Sequence, residues 1–291
     1  MDRMTVSEIR QTPFVTSIAC ATDFSDTGTT AFLHALALAA AEGGGTRLSI
    51  LNASDDRSDF IPWDRFPGVR ETLIAWGRLD SGAPRHAVEE AINVAVDKVA
   101  LVDGDPVRLL ARHLAEHPVD LLVLGTEGRT GFPRWFAPSF AETLARRTPA
   151  MTLFVPDGAK GFVDAGTGRI SLRRVLVPVD RDPMPQVAIE QAIRISGLVE
   201  HPAVELSVLH VGPPDGMPGL DLPECFDFSW YAESRDGPVA ATIKAVAQEA
   251  PTDLIIMPTA GQQGVVDALR GSVTEQVLRG APCPVLAIPA L

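Results

Sequence analysis

Short runs of unbroken apolar residues alternate along the chain with longer segments of helical period. "SIACATDFS" (17–25) and "RVLVPVDRDP" (174–183) are apolar without alternation, and each run ends at an acid, Asp23 or Asp180. Strands covered on both faces of a parallel sheet have this pattern. Ser25 or Asp26 in the first case, and Asp182 with Pro183 in the second, are helix-start signals. The helices predicted to follow are "TGTTAFLHALALAAAE" and "PQVAIEQAIRISGLV". Second strands come next at 46–53 and 204–212. Further on, "GDPVRLLARHLAEHPVDLLVLGT" (104–126) mirrors "DGPVAATIKAVAQEAPTDLIIMPT" (236–259), each a helix feeding a buried strand. The β-α-β order requires crossovers, and therefore a parallel sheet with helices on both faces.

The ends of the two series repeat each other. "PSFAETLARRTPAMTLFVP" (138–156) aligns without a gap on "GSVTEQVLRGAPCPVLAIP" (271–289), pairing Ser139 with Ser272, Glu142 with Glu275 and Leu153 with Leu286. The chain reads as a duplication. Lobe 1 is expected at 14–157, a linker rich in Gly at 158–171, and lobe 2 at 172–291. The middles differ. Lobe 1 has extra residues, including "FPGVRETLIAWGRL", which reads as a helix. Lobe 2 has "GPPDGMPGLDLPECFDF", too rich in Pro and Gly for a regular second helix.

Composition narrows the functional classes. With 291 residues, 46% hydrophobic and 21% charged, the chain can fill two ordinary cores. A net charge of −12 argues against sequence-independent nucleic-acid binding and against an anionic membrane surface. The longest apolar run, 31–41, is too short to span a bilayer, and the first residues lack the apolar core of a secretion signal. Cys20, Cys225 and Cys283 are too few and too scattered for a disulfide framework, so a cytoplasmic setting is expected. "HLAEH" (113–117) spells an inverted zinc-peptidase motif, but it lies at a helix end before Pro118 with no third ligand in view, so no metal site is expected.

Open parallel sheets take ligands beyond the carboxyl ends of their strands. Attention therefore falls on Asp23, Asp180, and the loops "GTEGRTGFPRWFAPS" and "PTAGQQGVVDALRGS". Glycines there let amides approach an anion, and a hydroxyl such as Ser272 either caps the following helix or donates to a phosphate. The competing reading is a tight turn that packs helix on strand without a ligand.

These loops and repeats resemble a tandem universal stress protein over nearly the whole chain. The family pattern is G-x2-G-x9-G-[S/T] after the fourth strand, with a strand-one Asp. The resemblance implies an α/β, adenine nucleotide alpha hydrolase-like fold with five parallel strands in each doubly wound lobe. It also implies an intramolecular pseudo-dimer through the terminal strands. In ATP-binding members the strand-one Asp and the first glycine lie near the ribose. The later glycines and the hydroxyl hold phosphates, and backbone after strand two meets adenine. In lobe 2 the matching positions are Pro178, Asp180, Val211, Gly261, Gly271, Ser272, Val273 and Thr274. In lobe 1 they are Asp23, Gly125, Gly128 and Ser139. Pro258 replaces the first glycine of lobe 2, while Pro138 replaces the third glycine of lobe 1 and Ala141 lacks the hydroxyl of Thr274.

The expectation is a stress-response protein binding ATP or a related adenine nucleotide, with or without magnesium, mainly through lobe 2 and in a regulatory role. No catalytic residues are assigned. The alternatives are a nucleotide-free interaction scaffold with both sites degenerate, and a slow ATP hydrolase using Asp180. Homodimerisation of the whole chain stays open.

Overall fold

The computed structural model describes residues 6–55, 63–84, 86–126, 149–199, 204–222, 228–260 and 273–290. Ahead of lobe 1 lies α1 (Val6–Gln11), whose Arg10 donates to Ser196 Oγ of lobe 2 at 3.1 Å, and lobe 1 itself runs β1 (Ser17–Ala21), α2 (Asp26–Glu42), β2 (Thr46–Ala53), α3 (Val69–Ala75) and α4 (Ala87–Ile92). It continues with β3 (Val94–Leu101), α5 (Pro106–Glu116), β4 (Leu121–Thr126) and β5 (Met151–Pro156). Lobe 2 has β6 (Arg174–Val179), α6 (Gln186–Ser196), β7 (Val204–Val211), β8 (Phe228–Arg235) and α7 (Val239–Glu249). β9 (Leu254–Ala260), α8 (Val273–Leu278) and β10 (Val285–Ala290) complete it.

All ten strands form one sheet in the order β3-β2-β1-β4-β5-β10-β9-β6-β7-β8. Neighbours are parallel within each lobe, as the β-α-β pattern requires, and the single antiparallel pair joins β5 to β10. At that joint Leu286 lies opposite Leu153, flanked by Val285–Phe154 and Ala287–Thr152. Leu153 and Leu286 are the same position in the gap-free repeat. The contact is therefore a self-complementary one about an internal twofold, the geometry of a homodimer held within one chain. It also removes the two apolar terminal edges from solvent.

Two cores cover the two faces of the sheet. On one face Phe32 and Leu36 of α2 and Ile189 and Ile193 of α6 are buried with Ile18, Val123 and Val177. On the other, α5 and α7 bring Leu110, Leu114 and Ile243 onto Leu122, Leu176 and Ile255. Each such side chain contributes roughly 1.5–3 kcal/mol by leaving water. Each lobe also ties the start of its first strand to the start of its fourth with one carboxylate. Asp120 Oδ2 accepts from the amides and hydroxyls of Thr16 and Ser17, at 2.8–3.0 Å. Asp253 Oδ2 accepts from the amides of Arg173 and Arg174, at 2.8 and 3.0 Å. Burial alone would raise the Asp120 carboxyl, but the bonds from Thr16 and Ser17 outweigh it and hold it below the ordinary range.

Four elements escape the sequence pattern: the short helices α1 and α4 and the outermost strands β3 and β8. On β3, Asp97 and Lys98 interrupt the apolar run, and most of β8 is exposed, so neither looks like a covered strand. The helix starts divide. Ser25 caps α2, its Oγ accepting from Gly28 N–H at 3.1 Å, as expected. In lobe 2, α6 begins only at Gln186, after Pro185, so Asp182 and Pro183 do not open the helix. A residue preceding proline is kept out of the helical region, and prolines at 183 and 185 postpone the first turn.

The segment between the lobes folds back on lobe 1. Val163 and Ile170 bridge in antiparallel fashion, and Phe162 is fully buried. His34 of α2 donates its Nδ1–H to Thr30 O at 2.8 Å and accepts Phe162 N–H on Nε2 at 3.2 Å, which fixes a neutral tautomer. Burial pushes its pKa down to about 4, against the opposing pull of the Thr30 carbonyl. Trp76 Nε1–H reaches Ala165 O at 2.9 Å, and Gly168, at φ +67°, lies so close on the indole that a Cβ would stand 2.3 Å from it. Only glycine meets both demands.

Candidate functional site

A cavity of about 230 Å3 opens where β6, β7 and β9 end. Pro178, Leu209, Val211 and Met257 come to it from the strands, Val239 and Ile243 from α7. Val273 and Thr274 approach from the start of α8, and Asp180 and Asp182 from the loop after β6. Two local features keep the space open. Residues 180–185 separate β6 from α6, so no helical turn closes over the strand tips. On α7 the apolar stripe through Ile243 and Ala247 begins one turn earlier, at Val239. As a result Val239 and Val273 remain 41% and 36% exposed, apolar surface left wet beside a recess.

The polar atoms around it are partly engaged. Asp180 Oδ1 accepts Arg181 N–H at 2.7 Å, and the Arg181 guanidinium turns to Asp215 O at 3.2 Å. Thr259 Oγ1 donates to Ile288 O at 3.2 Å. Beneath the same strand end, His210 Nδ1–H donates to Val179 O at 3.2 Å. Gly212 and Gly216 both crowd its Nε2, at 2.9 and 2.6 Å from where a Cβ would stand. Lobe 1 repeats that strut with Asn52 Nδ2–H and Thr22 O, at 2.8 Å.

At the strand tips of lobe 1 the chain satisfies itself. Asp23 Oδ1 accepts Ser25 N–H, Thr22 Oγ1 accepts Phe24 N–H, and Thr27 Oγ1 donates to Asp157 Oδ1 at 2.9 Å. Gly28 lets the first turn of α2 come within about 3 Å of Thr22 and Asp23, measured from an imagined Cβ. Gly125 lets Thr27 lie equally close, 2.9–3.1 Å. Where lobe 1 has Gly125, lobe 2 has Pro258, whose ring lines the cavity.

Of the residues singled out by resemblance in lobe 2, Pro178, Asp180, Val211, Val273 and Thr274 meet around this one cavity. Gly261, Gly271 and Ser272 lie outside the described residues, as do Gly128, Ser139 and Pro138 of lobe 1. Asp23 and Gly125 sit at the strand tips of lobe 1 in the contacts just given. The sequence reading did not single out Val239, Ile243, Leu209 or Met257, and it took Asp182 only as a helix-start signal. The early start of the α7 stripe is the signal that could have found Val239.

The "HLAEH" rings of His113 and His117 stack at 4.4 Å on the last turn of α5. Burial, then the neighbouring His117, pushes His113 below the usual imidazole range. Among the described residues no group of three or more His, Cys, Asp or Glu side chains is placed to hold a metal ion. Cys20 and Cys283 are buried, and burial pushes both thiols up to about 12, which makes them inert packing groups. No helix among the described residues is long and apolar enough to cross a membrane.

Comparison with known proteins matches these features to one family. The model of the universal stress protein family matches residues 15–156 and 228–289. A universal stress protein of Synechocystis is 29% identical over 139 residues, covering 42% of this chain and 88% of that protein. One from Mycobacterium bovis is 24% identical over 262 residues, 79% of this chain and 83% of its own length. The crystal structure of a universal stress protein from Archaeoglobus fulgidus superposes with a TM-score of 0.59 at 17% identity, covering 95% of this chain and 99% of its own. The last likeness speaks for the fold alone.

Proposed function

The chain belongs to the universal stress protein family, and from that premise we propose that lobe 2 binds an adenine nucleotide or nucleoside as a regulatory ligand. The observation that carries the reading is the lobe 2 cavity, apolar in its depth and carrying Asp180 at its mouth. It lies at the carboxyl ends of parallel strands, where open α/β sheets take ligands. Its volume is below the ~300–1,000 Å3 of a pocket that swallows a whole drug-sized ligand, so it suits one end of such a molecule. The base would sit against Val211, Val239 and Met257, and the ribose hydroxyls would donate to Asp180. Lobe 1 is read as structural, because Gly28 and Gly125 bring the first turn of α2 against its strand tips. The residues support binding and positioning, and no chemical step is assigned to them.

Isothermal titration with adenosine, AMP and ATP tests the reading. Asp180→Ala is expected to weaken binding about tenfold, the worth of roughly 1.4 kcal/mol, while Asp23→Ala leaves affinity unchanged. Equal loss in both variants, or none in either, would remove the assignment to lobe 2.

A further inference from the structure

The segments that precede the two lobes change places. Counting back from Asp23 and Asp180, α1 falls on residues 163–168 of the inter-lobe segment. That segment leads into lobe 2 yet packs on lobe 1, where Phe162 N–H meets His34 of α2 and Ala165 O meets Trp76. In return α1 leads into lobe 1 yet packs on α6 of lobe 2. Each arm thus uses the first helix of the opposite lobe as its platform. Such reciprocity is the mark of arms exchanged about a twofold, here the internal one.

The α6 side has the chemistry of a docking site. Val6 and Ile9, three residues apart and so on one face of α1, are buried in the core that holds Ile189 and Ile193. Beside them Arg10 Nη2 donates to Ser196 Oγ at 3.1 Å, and that buried hydroxyl donates its own proton to Ile193 O at 2.7 Å. The arginine stem runs past Gly197, its Cγ 3.5 Å from where a Cβ would stand. The root of the arm is fixed separately. Phe14 and Val15 are buried, and Phe14 N–H donates to Glu42 Oε2 of α2 at 3.2 Å. Between root and helix, Thr12 and Pro13 are exposed and lie outside helix and strand. Rotation there swings α1 off α6 without disturbing β1. A helix of 6 residues does not hold its shape alone in water, so α1 forms only against a receptor.

We propose that the α6 surface around Ser196 is an interaction site for the α1 segment, and that the arm of a second copy fills it. Two whole chains would then exchange α1 across Thr12 and Pro13, giving a homodimer. The residues that seat the arm are side chains of α6, indifferent to which chain delivers it. A tethered arm meets its own receptor at roughly millimolar effective concentration, so exchange competes when chains are concentrated and α1 is released. The inference stands apart from the nucleotide reading, since neither α1 nor Ser196 lines the lobe 2 cavity.

The test holds the full chain at about 1 mM in mild urea to release α1, returns it to buffer and sizes it by light scattering. A dimer that persists on dilution is expected. Ile9→Asp should yield about tenfold less of it, because a carboxylate must be dried to enter the apolar seat. Thermal unfolding verifies the fold of that variant, and the milder Arg10→Ala should lower the dimer fraction in the same direction. A further variant combines Arg10→Cys and Gly197→Cys with Cys225→Ser, which leaves only buried native thiols. A sulfur in the place of Arg10 Cγ stands within bridging reach of a Cβ at 197. Oxidation should then join two chains covalently in the dimer fraction and none in the monomer fraction. A chain that stays monomeric throughout, a dimer unaffected by Ile9→Asp and Arg10→Ala, or a disulfide confined within single chains of the dimer fraction overturns the proposal.

Discussion

The two lobes take one chain pattern to opposite ends. After β1, a Ser cap, an Asp turn and two glycines draw α2 down onto the strand tips. After β6, Pro183 and Pro185 hold the helix back, Pro258 occupies the place of Gly125, and a recess remains. Duplication preserved the sheet in both halves. A few Gly and Pro positions distinguish the described strand tips of the two halves.

The sharpest way to probe this contrast uses pH. His34 is neutral in the fold with its pKa near 4, against about 6.5 in an unfolded chain. Between those values the unfolded state binds the extra proton. The contribution is therefore complete above about pH 6.5 and is lost as pH falls toward 4, by roughly 3 kcal/mol. Counting from Asp23 and Asp180, lobe 2 has Gln191 at the matching position, buried but without a titrating group. Urea denaturation from pH 7 to pH 4.5 should show this loss in wild type and a markedly flatter profile in His34→Gln.

Next in size, Gly125→Ala places a methyl 2.9–3.1 Å from Thr27, including its backbone, and is expected to cost about 2 kcal/mol of stability by denaturant midpoint. If it costs nothing, close packing does not explain the glycine, and the asymmetry of the strand tips loses its cause. The smallest effect concerns the carboxylates that tie strand one to strand four. Asp120→Ala removes an acceptor from two amides and two hydroxyls, Asp253→Ala from two amides. The first should be about 1 kcal/mol more costly than the second by the same measurement.

What the sequence revealed follows from which forces are local. β1 and β6 were legible because a strand covered on both faces must be apolar throughout. The twofold joint was legible because Leu153 and Leu286 fall together in an ungapped repeat, and they face each other in the sheet. β3 and β8 were not, since an edge strand with charged or exposed positions has no burial pattern to read. The docking of Phe162 under His34 joins residues 128 apart in the chain, and no periodicity encodes such a contact. The cavity was legible in half. Asp180, Val211 and Thr274 came from resemblance, whereas Val239 depends on where α7 starts relative to the sheet, which only packing decides.

The antiparallel seam between β5 and β10 has a mechanical consequence. Because it reverses direction, the strand tips of the two halves look out from opposite rims of one rigid board. The sheet runs unbroken through all ten strands, so the two halves share one hydrogen-bonded ladder. The loops that follow the strands of one half and those that follow the strands of the other are therefore separated by the full height of the sheet.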